Sequence, residues 1–418
     1  MLDILLVNPN NRIVSPFAGI EPPLWAGLIA SHYKEQGQRV AILDADAMDL
    51  SIEETVAKIK GEDARQNIIV VMGNNPSVSS TPKMIVTKKL VENLKDYNVS
   101  VTGLHPSALP YDTEEELGVP VLKGKIFEGT PSIPWELLSM DKYKAHNWQC
   151  LDGSSRQPYA SVYTSLGCPF KCSFCNIHAL YNDYKNKSKV WYRDPLEVIK
   201  EIDILVEQYK VRNIKFWDEL FTLNPKQVNR MCQLLIHRDY RLNIWAYARV
   251  DTVNFDQLKT MKKAGINWLA YGFESGCDSV LKASGKLANK SNAIRAVAMT
   301  HDAGINIIGN FIFGLPKDTE ETMQETLEFA KSLKLEYVNF YMAKSYPGSK
   351  IYKGNKDWSS YNQYGQDGKS FSDRAFVEFF TDKGYLYRIK NKFGIQAVEH
   401  IDSMLKFGKP VTRSSLHG

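Results

Sequence analysis

The sequence is short of several things, and each shortage excludes a class of protein. No apolar run approaches the ~18 residues that cross a membrane. The opening MLDILLVNPNN holds Asp3 inside a short apolar run with no basic stretch before it, so it reads as a strand rather than a signal peptide. Charge of one sign is scarce: 52 Lys+Arg against 47 Asp+Glu leave +5 over 418 residues. Residues 351–418 hold 11 basic and 7 acidic side chains, so the remainder is near neutral. It lacks the concentrated basic face of a nucleic-acid protein. Six cysteines are too few for a disulfide scaffold, and none lies in the first 149 residues. Three of the six crowd into eight positions, which points to a reducing cytoplasm and a metal. With 44% hydrophobic residues, 26 Gly and 18 Pro, the chain is neither fibrous nor largely disordered.

What is present has an α/β pattern. Residues 1–125 alternate apolar runs (DILLVNP, RVAILDA, NIIVVMG, SVTGLHP) with helical stretches at 21–36, 51–60 and 81–94. Continuous apolar strands separated by helices indicate a Rossmann-like parallel sheet covered on both faces. Such sheets bind ligands beyond the carboxyl ends of their strands. Here those ends are 8–16, 73–80 and 103–110, rich in Gly, Pro, Asn and Ser. There is no G-x-G-x-x-G, so a large flat cofactor suits these loops better than a nicotinamide dinucleotide. Residues 126–157 read as a linker. Between 158 and 344 six strand-like runs (159–165, 213–217, 242–248, 266–273, 305–313, 335–342) alternate with helical stretches. Six βα units make a partial (β/α)6 TIM barrel, with a lateral opening for a bulky substrate. Residues 345–418 form a C-terminal extension, and its stretch 351–418 holds 12 aromatics in 68 residues. Helical apolar spacing over 376–392 predicts packing over the barrel; the alternative is a substrate lid beginning beside the opening.

The chemistry concentrates in SVYTSLGCPFKCSFCNIH, residues 161–178, where Cys168, Cys172 and Cys175 form C-x3-C-x2-C. Three thiolates can hold three irons of a 4Fe-4S cubane, which normally takes four, leaving one iron open to a small molecule. The same spacing is one face of a helix, though Gly167 and Pro169 disfavour a helix starting there. A zinc site is a further alternative, with His178 as fourth ligand. The loop follows directly on a strand, at the end of a barrel where enzymes place their chemistry.

On these residues the chain resembles the radical S-adenosylmethionine (SAM) enzymes, in the class with an N-terminal cobalamin-binding-like domain. Further matching stretches are FWDELF at 216–221, ARVD at 248–251, YGFESG at 271–276 and GNFIFGLPKDTEE at 309–321. In the first 125 residues EPPLWAGLIA, VAILDAD and GLHPSALP match. The resemblance implies that Cys168, Cys172 and Cys175 hold the cluster, and that Phe174 packs the adenine. It implies SAM contacts from Asp218 and Glu219 to the amino group, Arg249 to the carboxylate and Glu274 to the ribose. Ile312 and Gly314 would meet the adenine. Cobalamin contacts would come from Asn10, Asn74 and His105. The implied activity is methyl transfer to an unactivated carbon through a 5′-deoxyadenosyl radical and methylcobalamin. Partners would be a small-molecule or peptide substrate and a reductant such as flavodoxin or ferredoxin. The sequence departs from D-x-H-x-x-G after the first strand: residues 8–12 are Asn, Pro, Asn, Asn and Arg, offering no histidine to cobalt. A cyclase, rearranging enzyme or oxidoreductase of the same architecture is the alternative; a methylthiotransferase would need a second cluster in the cysteine-free first domain.

Overall fold

A computed structural model describes residues 2–11, 15–73, 80–181, 189–354 and 366–407. The chain is α/β, with two parallel sheets in sequence. The first has strands β1 (Ile4–Asn8), β2 (Val40–Asp44), β3 (Gln66–Val71), β4 (Val99–Gly103) and β5 (Val121–Leu122) in the order β2-β1-β3-β4-β5. Its chain path runs one way from β1 to β2 and the other way from β3 onward, so a crevice opens between the ends of β1 and β3. The second begins at β6 (Tyr159–Val162). The hairpin β7 (Ser165–Leu166) and β8 (Trp191–Tyr192) follows. Then come β9 (Asn213–Phe216), β10 (Asn243–Ala248), β11 (Ile266–Glu274), β12 (Asn306–Phe313) and β13 (Tyr337–Met342). Its order β13-β12-β11-β10-β9-β6 leaves β6 and β13 as edges.

The sequence-predicted strand over 159–165 breaks at Tyr163. Thr164 turns to give its backbone N–H to Asp218 Oδ1 (2.6 Å) and its carbonyl to Arg193 N (2.9 Å), and the hairpin starts anew. Helix starts are set by local chemistry. Ser51 and Glu54 form a capping box, Asp194 caps ahead of Pro195, and Asn224 caps ahead of Pro225. Gly103, at φ +125°, ends β4 where an added Cβ would lie 2.2 Å from the Val71 carbonyl, so only glycine fits.

One apolar core runs from the helix Leu24–Glu35 on the first sheet into the second sheet. The stretch 126–157 contributes Phe127, Ile133, Trp135 and Trp148 to it, so it is packed rather than extended. Inside the second sheet, Trp148 meets Trp245 and Trp268 edge-on with centroids 5.1 and 5.6 Å away. Glu21, carried in after β1, forms a buried pair with Lys215 of β9 (2.9 Å) and accepts from His146 (3.1 Å).

The tail is placed by its aromatics. Helix Gln366–Phe380 lies on the outer wall, with Phe371 against Phe313 (4.8 Å) and Phe379 against Phe340 (6.0 Å). Helices Lys383–Phe393 and Ile395–Phe407 then cover the amino end of the second sheet, with Phe393 stacked on Trp268 and Met404 Sδ accepting from Tyr337. These helices therefore do not form the lid considered from sequence; among the described tail residues, 345–353 lie beside the cysteine loop.

Candidate active site

Thr164 and Ser165 enter the cysteine loop under the control of Asp218, which lies two residues past the end of β9 and is fully buried. Its carboxylate accepts from Thr164 N (2.6 Å), Thr164 Oγ1 (2.6 Å) and Ser165 Oγ (2.5 Å). Burial raises its pKa, and these bonds oppose the shift. Asp218 is thus taken up in fixing the loop. Its neighbour Glu219 accepts from Gly167 N (2.8 Å) and from the Tyr181 hydroxyl. Glu219 is partly exposed, yet desolvation pushes its carboxyl up to about 7 against those bonds.

The three cysteines sit on one loop, with Cys168 and Cys175 packed against the core. Burial pushes their thiols up to about 11 and about 12. Such thiols lose their protons to a metal rather than to water. Arg249, after β10, stacks over Phe170 (3.7 Å to the ring centre) and brings Nη1 to 3.9 Å from Cys172 Sγ. Asp251 holds its other nitrogens at 2.9 and 2.8 Å. The sequence-level alternative of His178 as a zinc ligand meets an obstacle, since its Nε2 lies 2.7 Å from the Phe170 carbonyl. Among the described residues no three His, Cys, Asp or Glu side chains converge on one point as a single ion requires. A cubane asks for something else, one thiolate on each of three irons. Ser173 Oγ, Asn176 Oδ1 and Ser284 Oγ are buried beside the loop without hydrogen-bond partners, a polar lining that fits a bound group.

Phe174 and Ile312, far apart in sequence, meet in one small apolar cluster with Val280, Leu315 and Ala343, joined by Cys277. Gly314 follows at φ +78°, its N–H donating to Asp318 (2.8 Å). Glu274 ends β11 at φ +65°, a conformation a non-glycine residue rarely takes, and Lys286 Nζ holds it at 2.7 Å. The structure therefore gathers Cys168, Cys172, Cys175, Phe174, Asp218, Glu219, Arg249, Glu274, Ile312 and Gly314 around the carboxyl ends of the second sheet.

The first-sheet residues form a second group. Asn8 at the end of β1 donates to Asp44 (2.7 Å) and accepts from Lys83 Nζ (2.5 Å); Tyr143 also donates to Asp44 (2.9 Å). Asn10 is tied to Asp49 and to the Leu50 carbonyl. Asn11 Oδ1 is buried without a partner, an acceptor at the crevice that suits an amide-bearing ligand. His105 is fully buried, its Nδ1 3.0 Å from Thr81 Oγ1, and burial lowers its pKa to about 3. Asn74 lies outside the described residues.

The two groups meet. Helix Leu104–Ala108, after β4, packs against the turn Ile177–Ala179 that follows the cysteines. Gly348 fits between them: a Cβ there would come within 2.8 Å of Ala179 Cβ and 3.2 Å of Ala108 Cβ. Asn176 Nδ2 donates to the Pro347 carbonyl (3.1 Å). A cavity of about 550 Å³ lined by Arg212, Lys262, Trp268 and Phe393 lies at the opposite, amino end, away from these residues.

Sequence reasoning missed Lys83, Glu21, Lys215 and Asn11. Lys83 offered a signal: a lysine opening a helix sits against the positive end of its dipole and needs a reason to be there. Its ammonium is only 1% exposed and lies 3.6 Å from Asp46.

Residues 162–330 match the family described as the radical SAM superfamily. An uncharacterized methyltransferase of Pyrococcus horikoshii is 29% identical, over 84% of this chain and 82% of that protein. The anaerobic magnesium-protoporphyrin IX monomethyl ester cyclase of Rubrivivax gelatinosus is 25% identical, over 92% and 78%. Among solved structures, the radical S-adenosylmethionine methyltransferase TsrM from Kitasatospora setae, with cobalamin and a 4Fe-4S cluster bound, superposes with a TM-score of 0.64. It is 14% identical, covering 84% of this chain and 74% of that one, and so shares the fold.

Proposed function

We propose, from the match of residues 162–330 to the radical SAM superfamily, that this enzyme is a cobalamin-dependent methyltransferase acting on an unactivated carbon. The observation that carries the reading is the juxtaposition just described: a three-cysteine loop abutting the end of a sheet whose crevice holds an orphaned buried amide. The reading assigns 1–125 to a Rossmann-like cobalamin-binding domain, 126–157 to a packed connection, 158–344 to a (β/α)6 barrel open between β6 and β13, and 345–418 to an extension. The 4Fe-4S cluster, SAM and cobalamin would together supply one-electron cleavage of SAM and a transferable methyl group.

The chain's own residues do the rest. Cys168, Cys172 and Cys175 would hold the cluster. Asp218 fixes the strand-to-loop turn, and Arg249 clamps the loop through Phe170. Glu219 and Glu274 present carboxylates, and the Phe174–Ile312 cluster presents an apolar face suited to a base. Asn10, Asn11, Asn74 and His105 would contact cobalamin.

The relative named a cyclase, aligned over 92% of this chain, favours a second reading in which no methyl is transferred. Anaerobic reconstitution separates the two. The methyltransferase should carry about four irons and one corrinoid per chain, make 5′-deoxyadenosine, and add one CH2 unit to its substrate. Persistent absence of a corrinoid band selects the second reading. Wild-type SAM cleavage by Cys175→Ala overturns both.

A further inference from the structure

Resting on the reading of the cysteine loop as a reducible cluster site, we propose that the outer rim of this loop is the docking surface for an acidic one-electron donor protein. The loop's outer backbone is stitched to two surface segments. Ser173 N donates to the Ser284 carbonyl (2.9 Å), and Ile351 N donates to the Ser173 carbonyl (3.2 Å). The three segments brought together, 168–181, 279–288 and 345–354, contain no Asp or Glu and five lysines. Lys286 is committed to Glu274. The other four, Lys171, Lys282, Lys350 and Lys353, are exposed. Leu287, 86% exposed, stands on the same rim two residues beyond Gly285. An added Cβ at Gly285 would meet the Lys171 carbonyl at 3.4 Å.

Four exposed ammonium groups with no acid in their segments are a departure for a chain whose net charge is only +5. They give a local positive field that steers an anionic partner. An exposed leucine among them supplies the apolar centre with a charged rim that weak, short-lived encounters use. The surface also lies on the backbone that carries Cys172 and Cys175. The transfer balances simply: the donor loses one electron and the cluster gains it, with no bond made or broken on this surface. Two acids adjoin the rim: Asp112, near Tyr352, and Asp278, which opens the helix that carries Lys282 and accepts from Lys290 N.

The test uses reconstituted holoenzyme and a bacterial flavodoxin as probe. Binding is read by fluorescence anisotropy of labelled flavodoxin, and cluster reduction by absorbance, once with flavodoxin hydroquinone and once with saturating dithionite. In K171E/K282E/K350E, flavodoxin affinity should fall at least tenfold and flavodoxin-driven reduction should slow, while dithionite reduction stays within twofold. Leu287→Ala should weaken binding severalfold, and Lys263→Glu, on the far side, should not. Unchanged affinity in the triple variant, no binding by wild type, or an equal loss in Lys263→Glu overturns the proposal. Failure of wild type to be reduced by dithionite overturns the cluster reading, and the docking proposal with it.

Discussion

On the proposed reading, removing Asp218 should cost the cysteine loop its cluster, although Asp218 is not one of the ligands. The carboxylate accepts three hydrogen bonds from Thr164 and Ser165, all within 2.6 Å, at a site with no exposure to water. In Asp218→Ala the three donors lose their acceptor where solvent enters poorly. Each unsatisfied donor costs roughly 1–3 kcal/mol. Partial relaxation and an entering water make the lower end of the sum, about 3 kcal/mol, the reasonable expectation. That is roughly a hundredfold in the opening equilibrium of the loop. Asp218→Asn should be milder, about 1–2 kcal/mol. Its Oδ1 can still serve Thr164 N, and both hydroxyls can rotate to accept from Nδ2. The assay is amide hydrogen exchange over 164–176 together with iron per chain after reconstitution. Asp218→Ala should exchange about a hundredfold faster and hold little iron, with Asp218→Asn between it and wild type. Wild-type exchange and full iron in Asp218→Ala would refute the reasoning.

Lys215→Met leaves the buried Glu21 without its ammonium partner and should destabilise by roughly 3–5 kcal/mol in urea unfolding, while Glu21→Gln added to it recovers most of the loss. Burial opposes the Glu21 charge, but Lys215 and His146 outweigh it and hold the carboxyl at about 2 against 4.5. That pair therefore stabilises fully above pH 4.5 and is lost as pH falls towards 2, which acid titration of the unfolding midpoint should show. His105 is neutral and depressed to about 3 from 6.5, so its contribution is present above pH 6.5 and declines below it. Its ring resonances should not move between pH 7.5 and 5, and movement there would show it accessible. Deleting residues from 366 onward uncovers Phe313, Phe340, Trp268 and Tyr337, so soluble yield and thermal stability should collapse. A soluble, cooperatively folding truncation would show the tail to be an accessory.

Much was determined by sequence alone, where the signal is local. Apolar runs with helical stretches between them specified parallel sheets, because strands buried on both faces must be apolar throughout. C-x3-C-x2-C after a strand specified the cysteine loop, because three metal ligands on one loop need only short-range spacing. Asp194-Pro195 and Asn224-Pro225 marked helix starts for the same local reason. What only the tertiary structure decided is what depends on contacts between distant residues. Asp218 and Glu219 are adjacent in sequence, yet one is spent holding Thr164 and Ser165 while the other keeps a partly exposed face. His105 comes directly after a strand, but in the short helix Leu104–Ala108 it is buried against Thr81. Helical apolar spacing in the tail pointed to packing over the barrel, with a lid as the alternative. The tail's placement followed from Phe313, Phe340 and Trp268, apolar surfaces on other strands that needed cover. A charge or an aromatic ring in sequence carries no partner, and burial, which sets its energy, is a property of everything that packs around it.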